Sequence, residues 1–170
     1  MVGREGMVGF PLALGIGISP VRALVQGGGA GLRMSSTRFT SALRRHPPLQ
    51  RVLNGYIHAL IGQISQTAAC NRFHGVEARL ARWLLMTRDR MGSGKFRMTH
   101  DFLSSMLGVR REGVTEAASA FQRKDLIEYN RGRIHILDHR SLEAASCSCY
   151  EAGSEVKTSW KTARRRAHRR

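Results

Sequence analysis

The chain has 170 residues, enough for one ordinary domain or two small ones, and its hydrophobic fraction of 42% is sufficient for a globular core. A formal net charge of +16 with an isoelectric point of about 11.4 favours a polyanionic partner, and part of this charge remains when the basic tail from Lys157 is left out. No apolar run reaches the roughly 18 residues of a membrane-spanning helix, so we expect a cytoplasmic protein without a membrane segment.

Residues 1–34 are rich in glycine, and residues 1–46 are predicted to form a small unit with short strands that ends in a helix over Ser35–His46. Glu5 and Pro11 interrupt the apolar start, which therefore does not fit a signal peptide. The glycine spacing does not fit a dinucleotide-binding fingerprint either. The strand-like segments are Met7–Phe10, Ala23–Gln26 and Ala30–Met34.

A long amphipathic helix is predicted over residues 47–73, where prolines at the start are well tolerated. Its apolar residues step alternately by four and three, which makes a seam of about two and a half heptads. The polar outer faces favour pairing with an identical helix, and the alternative is packing onto the helix's own domain. The predicted dimerisation residues are Leu53, Ile57, Leu60 and Ile64.

Residues 74–147 are predicted to form a DNA-binding domain. Its first helix has an apolar stripe that includes Leu80 and Leu84, and a short strand is predicted at Lys95–Met98. The segment 92–95 lacks the residues of a phosphate-binding loop and is interpreted as a linker. The arginines of the first helix are expected on a solvated face, and they are Arg79, Arg82, Arg88 and Arg90.

The stretch Thr99–Arg123 has the pattern of a helix-turn-helix. Thr99 is placed as an N-cap, Asp101 falls in the first turn, and Gly108 ends the first helix as a residue with positive φ would. The second helix opens with Arg110, Arg111 and Glu112, whose side chains suit guanine and cytosine edges. The alternative is an amphipathic helical hairpin with a solvated charged face.

A β-hairpin is predicted next, with strands Leu126–Tyr129 and Arg133–Leu137 around a turn that contains Arg131. This hairpin would make a winged helix, and it would place Arg131 and Arg133 against phosphates. A terminal helix over His139–Cys147 and a basic disordered tail over residues 148–170 complete the prediction.

The three cysteines, Cys70, Cys147 and Cys149, do not suggest a disulfide framework. A metal site needs more ligands than the last two obviously supply, so ordinary thiols are predicted in preference to a metal or redox site. The seven histidines are scattered, and no catalytic constellation accompanies them. We therefore expect neither an enzyme nor a bound cofactor or metal.

The continuous stretch THDFLSSMLGVRREGVTEAASAFQRKDLIEYNRGRIHILD resembles the Crp/Fnr family of bacterial transcription regulators. The resemblance implies that Arg111 and Glu112 are the main base readers and that Thr99 and Asp101 lie near the DNA backbone. It also implies that Arg110 holds a position usually occupied by serine. The remaining residues expected at the DNA surface are Thr115 and Glu116, and other members use arginine at the position of Glu116.

The same resemblance extends weakly to residues 5–11 and 21–23, which are similar to the second half of an effector-binding β-roll. Phe10 takes the place of the glutamate that holds ribose in cyclic-nucleotide binders, so cyclic AMP binding is not expected. The first half of the roll is absent, so we expect a fragment or a truncated product.

The expected fold is α+β and mostly α, with a partial β-roll, a long dimerisation helix and a winged helix-turn-helix. The expected function is sequence-specific regulation of transcription by a homodimer on double-stranded DNA, with RNA polymerase as a further partner. The alternative is a basic adaptor that binds nucleic acid or protein without sequence preference.

Overall fold

The computed structural model describes residues 1–4 and 6–153. The chain divides into two compact units, one made of Met1 with residues 65–152 and the other containing residues 2–64. Among the described residues, no helix is long and apolar enough to cross a membrane.

The unit of residues 2–64 contains helix α1, Ser36–Arg45, and most of helix α2, Pro47–Phe73. Ser35 caps α1, because its hydroxyl accepts a hydrogen bond from the Arg38 backbone N–H at 3.4 Å. The core of this unit consists of one face of α2 packed against the N-terminal segment. Its buried members are Ala13, Leu53, Tyr56 and Ile57.

The three short strands predicted at Met7–Phe10, Ala23–Gln26 and Ala30–Met34 do not form. Phe10–Leu14 is instead a 3-10 helix that begins and ends at glycines with positive φ. A strand is stable only when it pairs within a sheet that has a buried face, and glycine weakens it further. The described N-terminal residues therefore contain no sheet of the predicted partial β-roll.

The predicted seam of α2 is divided between two environments. Leu53 and Ile57 are buried within their own unit and Leu60 is half-buried, whereas Ile64 is 58% exposed. Ile61, which the predicted seam did not include, is 59% exposed. The apolar surface that α2 leaves uncovered thus lies around Ile61 and Ile64.

The second unit is a small α+β domain. Helices α3 (Val76–Met91), α4 (His100–Leu107), α5 (Arg111–Arg123) and α6 (His139–Ala144) surround a three-stranded antiparallel sheet. Strands β1 (Lys95–Arg97), β2 (Ile127–Asn130) and β3 (Arg133–Ile136) follow the order β1-β3-β2. Leu80, Leu84, Leu103, Val114 and Phe121 are among the buried side chains of its core. The mostly helical fold with a small sheet and a winged helix-turn-helix confirms the expected fold class.

The prediction that Arg79 and Arg82 lie on a solvated face was wrong, since both are buried. The Arg79 guanidinium donates to the backbone oxygen of Leu107, a carbonyl at the end of α4 that has no partner within its own helix. Arg82 donates to the Thr67 hydroxyl at 3.2 Å. The carbon stems of these side chains fill space between helices while the charged groups bond to neighbouring oxygens.

The chain beyond the sheet is more ordered than its composition indicates. Asp138 caps α6 by accepting from the Ser141 N–H at 3.1 Å, and residues 149–153 form a further helical turn within the segment predicted as tail. The rest of the predicted tail, residues 154–170, lies outside the described residues.

Candidate nucleic-acid interface

The two ends of α4 are built as the sequence predicts. The Thr99 hydroxyl accepts from the Phe102 N–H at 3.2 Å, which satisfies one of the backbone donors at the helix start. Gly108 ends α4 with φ 63° and ψ 43°, and the N–H groups of Gly108 and Val109 both point to the Ser104 oxygen. This turn directs the chain into α5 and fixes where α5 begins.

Helix α5 has one buried face and one charged face. Val114, Ala117, Ala118 and Phe121 are buried, whereas the side chains predicted to meet DNA are on the other face. Arg110 is the N-cap and not the first helical residue, so the helix starts one position later than predicted. The exposed predicted site residues are Arg110, Arg111, Glu112, Thr115 and Glu116.

An ion pair joins the beginnings of α4 and α5. Arg111 Nε lies 3.3 Å from Asp101 Oδ1, with side chains 64% and 73% exposed. A pair this exposed to water is weak and can open without much cost. Asp101 therefore orients the Arg111 guanidinium without withdrawing it from solvent.

His100, which the sequence analysis did not assign to the site, connects three elements. Its ring stacks on Tyr129 of β2 with centroids 4.2 Å apart, and its Nδ1 lies 2.9 Å from the Thr115 hydroxyl of α5. Because Thr115 can donate its proton to the Arg111 carbonyl at 3.1 Å, we assign the His100 proton to Nδ1. Burial, followed by the positive charge of Arg111, lowers the pKa of His100 from 6.5, and Asp101 opposes this shift.

The hairpin between β2 and β3 closes with a two-residue turn. Arg131 has φ 46° and Gly132 has φ 77°, and positive φ at both central positions is what a type I′ turn requires. The Met98 N–H donates to the Gly132 oxygen at 2.8 Å, and a Cβ placed on Gly132 would lie 3.5 Å from the Thr99 methyl group. The turn thus lies against the residue that caps α4, and the structure brings Thr99 and Arg131 to the same region.

The pairing of β1 with β3 places a further cationic residue, Arg97, in this region, and the sequence pattern had not identified it. Arg97 of β1 pairs directly with Arg133 of β3, and both residues are exposed. Like charges at directly opposite positions destabilise a sheet unless an anion lies between or above them. The alternation of charged Lys95, apolar Phe96 and charged Arg97 in the sequence would have indicated this face, and in the structure Phe96 is buried while Lys95 and Arg97 are exposed.

Comparisons with known proteins concern mainly the residues of this site. Residues 78–145 match the model of the Crp-like helix-turn-helix domain. A protein of the Crp/Fnr family from Eubacterium rectale ATCC 33656 is similar with a TM-score of 0.50 and 23% identity, over 65% of this chain and 51% of that one. The catabolite activator protein of Thermus thermophilus is similar with a TM-score of 0.36 and 19% identity, over 65% of this chain and 52% of that one.

The chain spans about half the length of each of these two solved structures. No curated protein matches it. The chain therefore contains a Crp-like helix-turn-helix domain at residues 78–145, and it has a fold of the Crp/Fnr type.

Proposed function

We propose that this chain is a sequence-specific DNA-binding regulator of transcription of the Crp/Fnr type, which binds DNA as a dimer through α5. The observation that carries the proposal is the exposed amino-terminal end of α5, where Arg110, Arg111 and Glu112 project beside the basic hairpin. The first residues of a recognition helix are those that reach base edges in the major groove.

Arg111 and Glu112 are the proposed base readers. A guanidinium can donate two hydrogen bonds to guanine O6 and N7, and a carboxylate can accept from cytosine N4. Asp101 at 3.3 Å holds the Arg111 side chain near this orientation before DNA arrives. Thr115 has the different role of positioning, because its hydroxyl lies within hydrogen-bond distance of both His100 and the Arg111 carbonyl. Glu116 replaces a cation common in the family and would therefore alter which operator is preferred.

Phosphate contacts are proposed for the hairpin and for the start of α4. Arg131, Arg133 and Arg97 are exposed on the hairpin sheet, and Thr99 lies against the hairpin turn. Such contacts fix the register of the protein on the duplex and supply affinity that decreases with salt. They do not distinguish sequences, so substitutions here and at Arg111 should have different consequences.

Dimerisation is proposed through the part of α2 that its own unit leaves uncovered. Leu53 and Ile57 belong to an internal core, so a second copy of α2 would meet Ile64, Ile61 and the partly exposed Leu60. A dimer would present two α5 helices to half-sites about 34–36 Å apart. Ile64→Glu should then shift the chain from dimer to monomer in sedimentation, whereas His58→Glu, at another exposed position of α2, should not.

The experiment that tests the function is selection of duplexes from a random pool by the purified full chain. A regulator of this kind enriches a motif with two-fold symmetry, and the preference persists against excess competitor DNA at physiological salt. A basic adaptor, the alternative that the high net charge favours, would enrich no motif and would show only the decrease of affinity with salt. Transcription with purified RNA polymerase on the enriched site then tests the proposed contact with polymerase.

A further inference from the structure

A cluster of three cysteines and one histidine lies within the unit of residues 65–152, and it includes none of the residues proposed to contact DNA. The sulfur atoms of Cys70, Cys147 and Cys149 and a ring nitrogen of His74 all lie within 4.8 Å of one another. Cys70 and His74 are one helical turn apart, and the His74 N–H donates to the Cys70 oxygen at 3.1 Å. Cys147 lies in the turn that follows α6, and Cys149 begins the helical turn at residues 149–153.

We propose that these four side chains form a tetrahedral binding site for a single zinc ion. Three thiolates and one imidazole are a common ligand set of structural zinc. With Zn–S bonds of about 2.3 Å and Zn–N bonds of about 2.0 Å, ligand atoms of a regular tetrahedron lie about 3.5–3.8 Å apart.

The separations between the four side chains in the structure fit such a site. The Cys70 and Cys147 sulfurs are 3.5 Å apart, and Cys149 Sγ is 3.5 Å from His74 Nδ1. The widest pair, at up to 4.8 Å, would close by about 1 Å on coordination, which small side-chain rotations supply. A cluster with two or more metal atoms would need its ligands further apart, so a single ion is the better fit.

The surroundings of the cluster favour bound thiolates. Gln66 Nε2 donates to Cys149 Sγ at 3.0 Å, the kind of outer hydrogen bond that orients a metal ligand. Three thiolates around a divalent ion leave one net negative charge. Ala78 packs against the three buried cysteines.

A redox switch fits these cysteines less well. Redox-sensing cysteines are exposed to solvent, whereas Cys70, Cys147 and Cys149 are only 1%, 8% and 3% exposed. Zinc would instead join the turn at residues 147–149 to the last turn of α2. The ion would thus have a structural role, which is to hold the C-terminal end of the unit of residues 65–152 in place.

The test uses the full chain, purified without a polyhistidine tag, in a reducing buffer free of chelators. We expect one zinc per chain by elemental analysis, retained through dialysis. Replacement of zinc by cobalt(II) should give the intense visible absorption of tetrahedral thiolate coordination. All three thiols should resist a thiol reagent until a strong chelator is added, and this readout needs no variant.

Variants assign the ligands. His74→Ala and Cys70→Ser should abolish stoichiometric zinc, and Gln66→Ala should weaken zinc binding about 10–100-fold. His58→Ala, at an exposed histidine of α2, should leave zinc binding unchanged. The proposal is overturned if the purified chain takes up no zinc, or if its thiols react equally fast with and without zinc. A disulfide between Cys70 and Cys147 that persists in the reducing buffer, or an iron–sulfur absorption spectrum, would overturn it as well.

Discussion

Alanine at Gly108 tests the turn that positions α5. Gly108 has φ 63°, and a Cβ added there would meet no atom within 4 Å, so the substitution introduces no clash. The substitution destabilises the folded chain through the backbone alone, because the left-handed conformation costs about 1–2 kcal/mol for a residue with a Cβ. We expect the free energy of unfolding of Gly108→Ala to fall by that amount.

Gly113→Ala is the matched control, and we expect it to raise the free energy of unfolding. Gly113 lies within α5 without positive φ, and an added Cβ would make ordinary contacts at 3.9 Å with the Val76 methyl groups. Alanine is more favourable than glycine inside a helix by roughly 0.5–1 kcal/mol, so this variant should be more stable than the parent chain. Urea denaturation followed by circular dichroism measures both changes. A neutral or stabilising effect of Gly108→Ala would refute the assigned turn.

Three further predictions concern the DNA surface. Arg133→Gln should reduce the slope of log affinity against log salt concentration by about 0.9 for each lost phosphate contact, and it should leave the ranking of DNA sequences unchanged. Titrations at several salt concentrations measure both, and an altered ranking would contradict the phosphate role. Asp101→Asn removes the carboxylate that lies 3.3 Å from Arg111 and orients it, so this variant should show a smaller preference at the base pair that Arg111 reads; an unchanged preference would contradict the orienting role. The pKa of His100 is lowered from 6.5 in the folded chain, so the unfolded chain takes up this proton first as the pH falls. The urea midpoint should therefore decrease below about pH 6.5, and His100→Asn should reduce this decrease; an unchanged pH profile would contradict the assignment.

The sequence alone was sufficient to predict the elements that depend on the conformational preferences of a few neighbouring residues. Thr99 and Gly108 mark the two ends of α4, and both act as their residue types predict. The hairpin followed from its glycine turn and the alternating residues on either side, and its strands are within one residue of the predicted bounds. Each of these features depends on backbone preferences over a few positions.

Features that depend on distant contacts were not predictable in this way. Arginine in a helix is usually solvated, and only the position of the Leu107 carbonyl explains why Arg79 is buried. The cysteine cluster joins residues 77 and 75 positions apart, so its two halves look like unrelated pairs along the chain. His100 gave no local signal of its stacking on Tyr129, because that contact exists only once the hairpin folds against α4.

The central claim is that Arg111, at the exposed start of α5, reads a base. The most direct measurement repeats the duplex selection with Arg111→Ala and with Arg123→Ala, which alters an exposed arginine at the other end of the same helix. We predict that Arg111→Ala loses about 1–3 kcal/mol of preference at one base pair of each half-site, while Arg123→Ala keeps the motif of the parent chain. If both variants enriched the same motif, or if Arg111→Ala weakened binding equally on all sequences, α5 would not read DNA as proposed.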